Sequence, residues 1–297
     1  VTMAFSHVRQ ALASIIGVAA LGLAGGSFNA SAQHIHLVAG LTTSYEPGKT
    51  NVTLVNAASY DVNSYDGIAP ACFFMPDDDP VLYPGLYHSD VTFAALPATL
   101  WTGGPAPNAA ALGAFIVARV VSVAGPPGGE FSLWQENEEA SHTQKVFTIP
   151  AGTTNTGHYF NVSEGITFPE PDPFGHIHGR RFTATKPGLY TVGFQMLDIS
   201  SSHADGTPVH NPGPTNYFYF QAGIFISDFV RTNDTVAFRF GAQFFRDYHV
   251  EYSTNLSSTN WTMLAEIIGG NHSDIHTIID TNAAGPARFY RLRQTDQ

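Results

Sequence analysis

Cysteine is nearly absent from this chain: one residue, Cys72, in 297. No disulfide can form within the chain, so stability must come from packing or from a bound ion. In Ala71-Cys72-Phe73-Phe74 the thiol reads as a small buried hydrophobe rather than a nucleophile. Charge is also scarce, 12% of residues against roughly 25% in an average soluble domain. The positive sign is the scarcer, with 13 Lys plus Arg against 24 Asp plus Glu and a net charge of −11. Without a basic stripe there is nothing to hold a phosphate backbone, which argues against a nucleic-acid partner. Long hydrophobic runs are missing too. Ala11 to Ala24 is a 14-residue apolar run, shorter than the ~18 residues that a membrane-spanning helix needs. There is no G-x-S-x-G, no H-E-x-x-H and no glycine-rich phosphate loop, and the chain therefore reads as non-enzymatic.

What is abundant is the material of short strands and turns: 43% hydrophobic residues, 12% aromatics, 28 Gly and 19 Pro. Segments rich in β-branched and aromatic residues recur at Ile35 to Leu41, Val52 to Val55, Val91 to Leu96, Phe115 to Val123, Phe131 to Trp134, Lys145 to Ile149, Phe182 to Thr185 and Leu189 to Leu197. In the last of these, Tyr190, Val192, Phe194 and Met196 alternate with Thr191, Gly193 and Gln195, a period of two that puts the first set on one face. Lys186-Pro187-Gly188 supplies a turn before it, so Phe182 to Leu197 is expected to be a hairpin. A second set of alternating segments follows at Thr235 to Phe240, Tyr248 to Tyr252, Trp261 to Ile268, His276 to Ile279 and Arg288 to Arg293. The expected fold is all-β: an antiparallel β-sandwich, Ig-like or jelly-roll-like, over residues 33–226, then a small Ig-like or fibronectin-III-like sandwich over 227–297.

Residues 1–32 are set apart from that fold. His7 and Arg9, the apolar run and the small residues ending in Ala30-Ser31-Ala32 form an export-signal pattern with an A-x-A cleavage site. The expected mature chain begins at Gln33, is extracellular or on the cell surface, and carries no integral membrane segment after cleavage.

Two His-x-His triplets stand out, His34-Ile35-His36 and His176-Ile177-His178. In a strand, residues two apart share a face at about 6.6 Å, so each triplet can aim two imidazoles at one point. Zn²⁺ takes three or four nitrogen, oxygen or sulfur ligands, and neutral imidazole is a common donor. His34, His36, His176 and His178 are the candidate ligands, with His88 and His210, both in turn-rich surroundings, as candidate additional ones. The carboxylate runs Asp77-Asp78-Asp79 and Glu136, Glu138, Glu139 lack the spacing of a calcium loop and read as solvated faces. Arg180-Arg181, directly after the second triplet, could recognise an anion or carboxylate or pair with an acidic neighbour.

The stretch His176-Ile177-His178-Gly179-Arg180-Arg181-Phe182-Thr183-Ala184-Thr185-Lys186-Pro187-Gly188-Leu189-Tyr190 resembles the H-x-H…F-T…P-G-x-Y segment of bacterial choice-of-anchor M domains, among them actinobacterial surface-anchored proteins associated with metal ABC transporters. Gln33-His34-Ile35-His36 is similar to that family's N-terminal strand, and the likeness covers about 33–226. The resemblance implies an exported β-sandwich that binds a transition metal through its histidines beside a metal-transport system. The sequence departs from the family where Gly179-Arg180-Arg181 stands in place of an early aromatic residue. Tyr248 to Leu256, with Asn260-Trp261-Thr262 and Arg288 to Arg291, is similar to small fibronectin-III-like modules of secreted bacterial proteins.

The leading reading is thus an exported protein holding a divalent metal, with zinc preferred because no Met-rich or Cys ligand set accompanies the histidines. A structural subunit of a surface layer, matrix or fibre, built by self-association through exposed strand edges, is a second reading. A cupin-type metal-dependent hydrolase is a third, weakened because no Glu follows the second triplet at three or four residues.

Overall fold

The computed structural model describes residues 35–44, 50–57, 60, 72–96, 106–136, 143–163, 174–176, 180–201, 206–270, 273–285 and 287–295. The expected signal segment, His34 and His178 lie outside the described residues, as does the side chain of His176. His34–Gln297 forms one compact unit. Its described residues build strands and no helix, so the chain is all-β. No helix among them is long and apolar enough to cross a membrane.

Three sheets make the N-terminal part. The first runs β11 (Gly175–His176), β5 (Val91–Ala95), β1 (Ile35–Leu41), β2 (Val52–Leu54). The second runs β10 (Tyr159–Asn161), β6 (Ile116–Ala124), β13 (Gly188–Asp198), β14 (Thr215–Ala222), β3 (Cys72–Met75), with β9 (Thr153–Thr154) also on β6. The third runs β4 (Tyr87–Ser89), β12 (Arg180–Ala184), β7 (Glu130–Glu136), β8 (Thr143–Pro150). An aromatic core packs the first and third sheets against the second. Phe93 of β5 lies 5.1 Å from Phe160 of β10 and 5.1 Å from Phe194 of β13, while Phe182 of β12 lies 5.8 Å from both Phe194 and Phe220 of β14. The alternation read in β13 holds: Tyr190, Val192, Phe194 and Met196 all face the core. Each such side chain, fully removed from water, contributes about 1.5–3 kcal/mol before entropy is counted.

One expectation needs correction. Phe182 to Leu197 is not a hairpin. Strand β12 pairs with β4 and β7, whereas β13 pairs with β6 and β14, so the Lys186-Pro187-Gly188 turn carries the chain from one layer to the other. Phe182 and Phe194 meet through their rings in the interior between the two layers, 5.8 Å apart. Gly188 permits the crossing: its φ is +134°, and a Cβ there would stand 2.7 Å from the Pro126 ring. The sandwich is built mainly of antiparallel pairs, as expected, with two parallel ones, β1 with β5 and β14 with β3.

The C-terminal part has two three-stranded antiparallel sheets: β15 (Ser227–Thr232), β16 (Thr235–Ala242), β19 (Asp274–Asp280), and β18 (Thr262–Ile267), β17 (Asp247–Ser253), β20 (Phe289–Thr295). Phe238, Phe240, Tyr248 and Val250 form a separate core between them. This part is bonded to the first: Cys72 N–H donates to Ser273 O at 2.9 Å, and Gly241 N–H to Gln221 Oε1 at 2.9 Å. Cys72, Leu189 and Ile275 bury against one another at the junction, and burial pushes the Cys72 thiol far above its ordinary range.

Candidate functional site

The described members of the two His-x-His triplets, His36 in β1 and His176 in β11, lie in the same sheet on opposite flanks of one strand, β5. Leu37, Ala39 and Leu41 of β1 and Val91, Phe93 and Ala95 of β5 are buried core residues, which fixes the inward face of both strands. The residues between them therefore belong to the other face. The parallel register sets His36 opposite Thr92, and the antiparallel register of β11 sets His176 opposite Ala94. Thr92 and Ala94 are two apart in β5, so positions 36 and 176 share the face that points away from the core. Two inter-strand steps and one two-residue step separate their backbones by about 12 Å. The His36 end is fixed locally by Asn56, whose side chain accepts from Val38 N–H at 2.9 Å and donates to His36 O at 2.8 Å.

Arg180, which opens β12 just after the second triplet, points inward. It is 6% exposed, with Nε donating to Gln135 Oε1 at 3.2 Å and the guanidinium 5.2 Å from the Phe160 ring. Nη1 is buried without a hydrogen-bond partner among the described residues. Burial lowers its pKa to about 10, which still leaves it charged at neutral pH. Its neighbour Arg181 is neutralised by Asp90, 2.8 Å away.

The two candidate additional ligands sit elsewhere in the bonding pattern. His210 is buried, its ring Nε2 accepts from Ala111 N–H at 3.0 Å, and its backbone N–H donates to Asp198 Oδ2 at 3.0 Å. Burial lowers the His210 pKa, opposed by the Asp198 carboxylate, so the ring is held neutral with Nε2 engaged. His88, paired opposite Thr183, has Nε2 2.8 Å from Asp78 Oδ1 and its ring 5.2 Å from Tyr83. That approach is close but poorly angled for a hydrogen bond, and it acts as an ion pair when the imidazole is protonated. Among the described residues no three His, Cys, Asp or Glu side chains are grouped to hold an ion; His34, His178 and the His176 side chain are not among them.

Sequence reasoning missed Asp198. This buried carboxylate at the end of β13 accepts Phe115 N–H and Ser200 N–H on Oδ1, both at 2.9 Å, and His210 N–H on Oδ2. An acidic residue closing an otherwise apolar alternation, Met196-Leu197-Asp198-Ile199, was the available signal. Compared with protein families, curated proteins and solved structures, the chain finds a match in none of the three.

Proposed function

We propose that this is an exported protein that binds a divalent transition metal, zinc in the first instance, through His34, His36, His176 and His178. The observation that carries the reading is that β1 and β11, remote in sequence, flank β5 with backbone positions 36 and 176 in register with Thr92 and Ala94, two residues apart. A backbone separation of about 12 Å is close to the reach of two imidazoles meeting at one ion with Zn–N bonds of about 2.0–2.1 Å. His34 and His178, each two residues from a described histidine, complete the proposed nitrogen donor set. The resemblance to choice-of-anchor M domains supports the same reading, and with it a place at the cell surface beside a metal-transport system. Elemental analysis of the purified protein tests it: near one equivalent of zinc is expected in the wild type and a loss of most of it in His36→Ala and in His176→Ala/His178→Ala. Equal, near-zero metal in all three removes the proposal.

One observation favours the structural reading. Strand β15 is bonded on one side, to β16, and carries Phe229 and Val230 at 52% and 57% exposure. Polymers on size-exclusion chromatography of chelator-treated protein would support a self-associating subunit, and a monodisperse monomer would argue against it.

A further inference from the structure

Among the described residues, the buried carboxylates of Glu251, Asp198 and Asp280 each meet a cation or backbone N–H groups, whereas buried Arg180 meets no opposite charge. Glu251 is paired with Arg291 and Arg293, at 2.7 and 3.0 Å. Asp198 accepts three backbone N–H groups, and Arg181 has Asp90. Arg180 is more than nine-tenths buried, yet among the described residues its partners are the neutral Gln135 amide and the Phe160 ring, and Nη1 has none. A guanidinium does not escape burial by losing its proton. An uncompensated interior charge is strongly unfavourable, whereas a charge-assisted pair with an oxyanion relieves both the charge and the orphaned donor.

We propose that Arg180 is the receptor for a small carboxylate ligand at this end of the N-terminal sandwich. The chemistry selects the class. Asp90 cancels Arg181, so one positive charge remains, which matches a monocarboxylate and not a phosphate or sulfate dianion in a chain of net charge −11. Nε is already committed to Gln135, so the carboxylate meets the guanidinium through the Nη1 side. The Phe160 ring lies 5.2 Å from the guanidinium carbon, within cation–π range. The proposal does not rest on metal binding, since its groups, Gln135, Phe160, Arg180 and the Arg181–Asp90 pair, include none of the proposed metal ligands.

The test is thermal unfolding of chelator-treated protein at fixed ionic strength, with sodium acetate replacing sodium chloride in steps up to 200 mM and sodium sulfate as the control. A saturable rise in the wild-type midpoint with acetate, exceeding that with sulfate and absent in Arg180→Gln, is the expected result. Gln135→Glu serves as the second variant in case Arg180→Gln does not fold. It sets a carboxylate against the guanidinium from within, and it should raise the midpoint in chloride and abolish the acetate response. An equal response to acetate and sulfate, an acetate response that persists in either variant, or no response in the wild type overturns the proposal. Using metal-free protein separates these outcomes from any failure of zinc binding.

Discussion

Asp198 offers the sharpest quantitative test of the fold around the candidate site. It ties the start of β6, the end of β13 and the segment bearing His210 together through three backbone N–H groups. In Asp198→Ala the amides of Phe115 and His210, both in buried bonds, lose their acceptor, while the more exposed Ser200 amide can turn to water. Leaving a buried donor unsatisfied costs about 1–3 kcal/mol. Two such losses, less the relief of no longer burying a carboxylate, give about 3 kcal/mol. For a unit of this size that is roughly 6–12 °C in the thermal midpoint. Asp198→Asn separates hydrogen bonding from charge. Its carbonyl can keep Phe115 and Ser200, but its amide then faces the His210 N–H as donor against donor, so one bond is lost, at about 1–2 kcal/mol. Circular dichroism melts of the three proteins decide it. An Ala variant within 2 °C of wild type, or an Asn variant as unstable as Ala, would refute the bonding account.

The histidines set a pH dependence. Burial lowers the pKa of His210 and of His276, each opposed by an aspartate, Asp198 and Asp274. The unfolded chain then binds more protons, so their contribution is fully present above about pH 6.5 and is lost as pH falls through that value towards the folded pKa. Urea midpoints between pH 7.5 and 5 should fall, and His210→Gln, whose Oε1 can accept Ala111 N–H, should flatten the fall; an unchanged slope would exclude His210 as the source. At the junction of the two parts, a Cβ on Gly241 would stand 2.5 Å from Gln221 Cβ and 3.0 Å from Cys72 Sγ. Gly241→Ala should therefore destabilise by about 1–3 kcal/mol and speed the reaction of Cys72 with a thiol reagent, to which the wild type, with the thiol buried, is inert. Equal reaction rates would show that the junction yields without opening.

Much of the strand content was legible because burial leaves a polarity contrast in the sequence. Strands β1, β5, β6 and β13, and the C-terminal strands β16, β17 and β20, each fall within two residues of the expected segment. Strand β14 was not legible. In Thr215–Ala222 the core residues Phe218 and Phe220 alternate with Tyr217 and Tyr219, so aromatic follows aromatic and the period of two carries no contrast. Strands β4, β9 and β11 are two or three residues long and have no period to read. Pairing was less legible still. Nothing in Phe182 to Leu197 states that its halves belong to different layers, because a turn that crosses a sandwich and a turn that closes a hairpin use the same Pro-Gly chemistry.

The site shows the same division between spacing and placement. His-x-His spacing places two imidazoles on a common face wherever the segment is a strand, and that much is sequence. Which face, and what lies beside it, is decided by register. His210 and His36 show how far this matters. His210 lies within the fold, where burial holds its ring neutral and Nε2 accepts the Ala111 amide, so a metal could bind there only by leaving a buried donor unsatisfied. His36 lies on the half-buried face of β1, opposite the row of Leu37, Ala39 and Leu41 that does the packing. Arg180 is the converse, a charged group on the packing face of β12 beside Phe182 and Ala184, where an apolar side chain would serve stability better. Its presence there is explained by a ligand and not by the core.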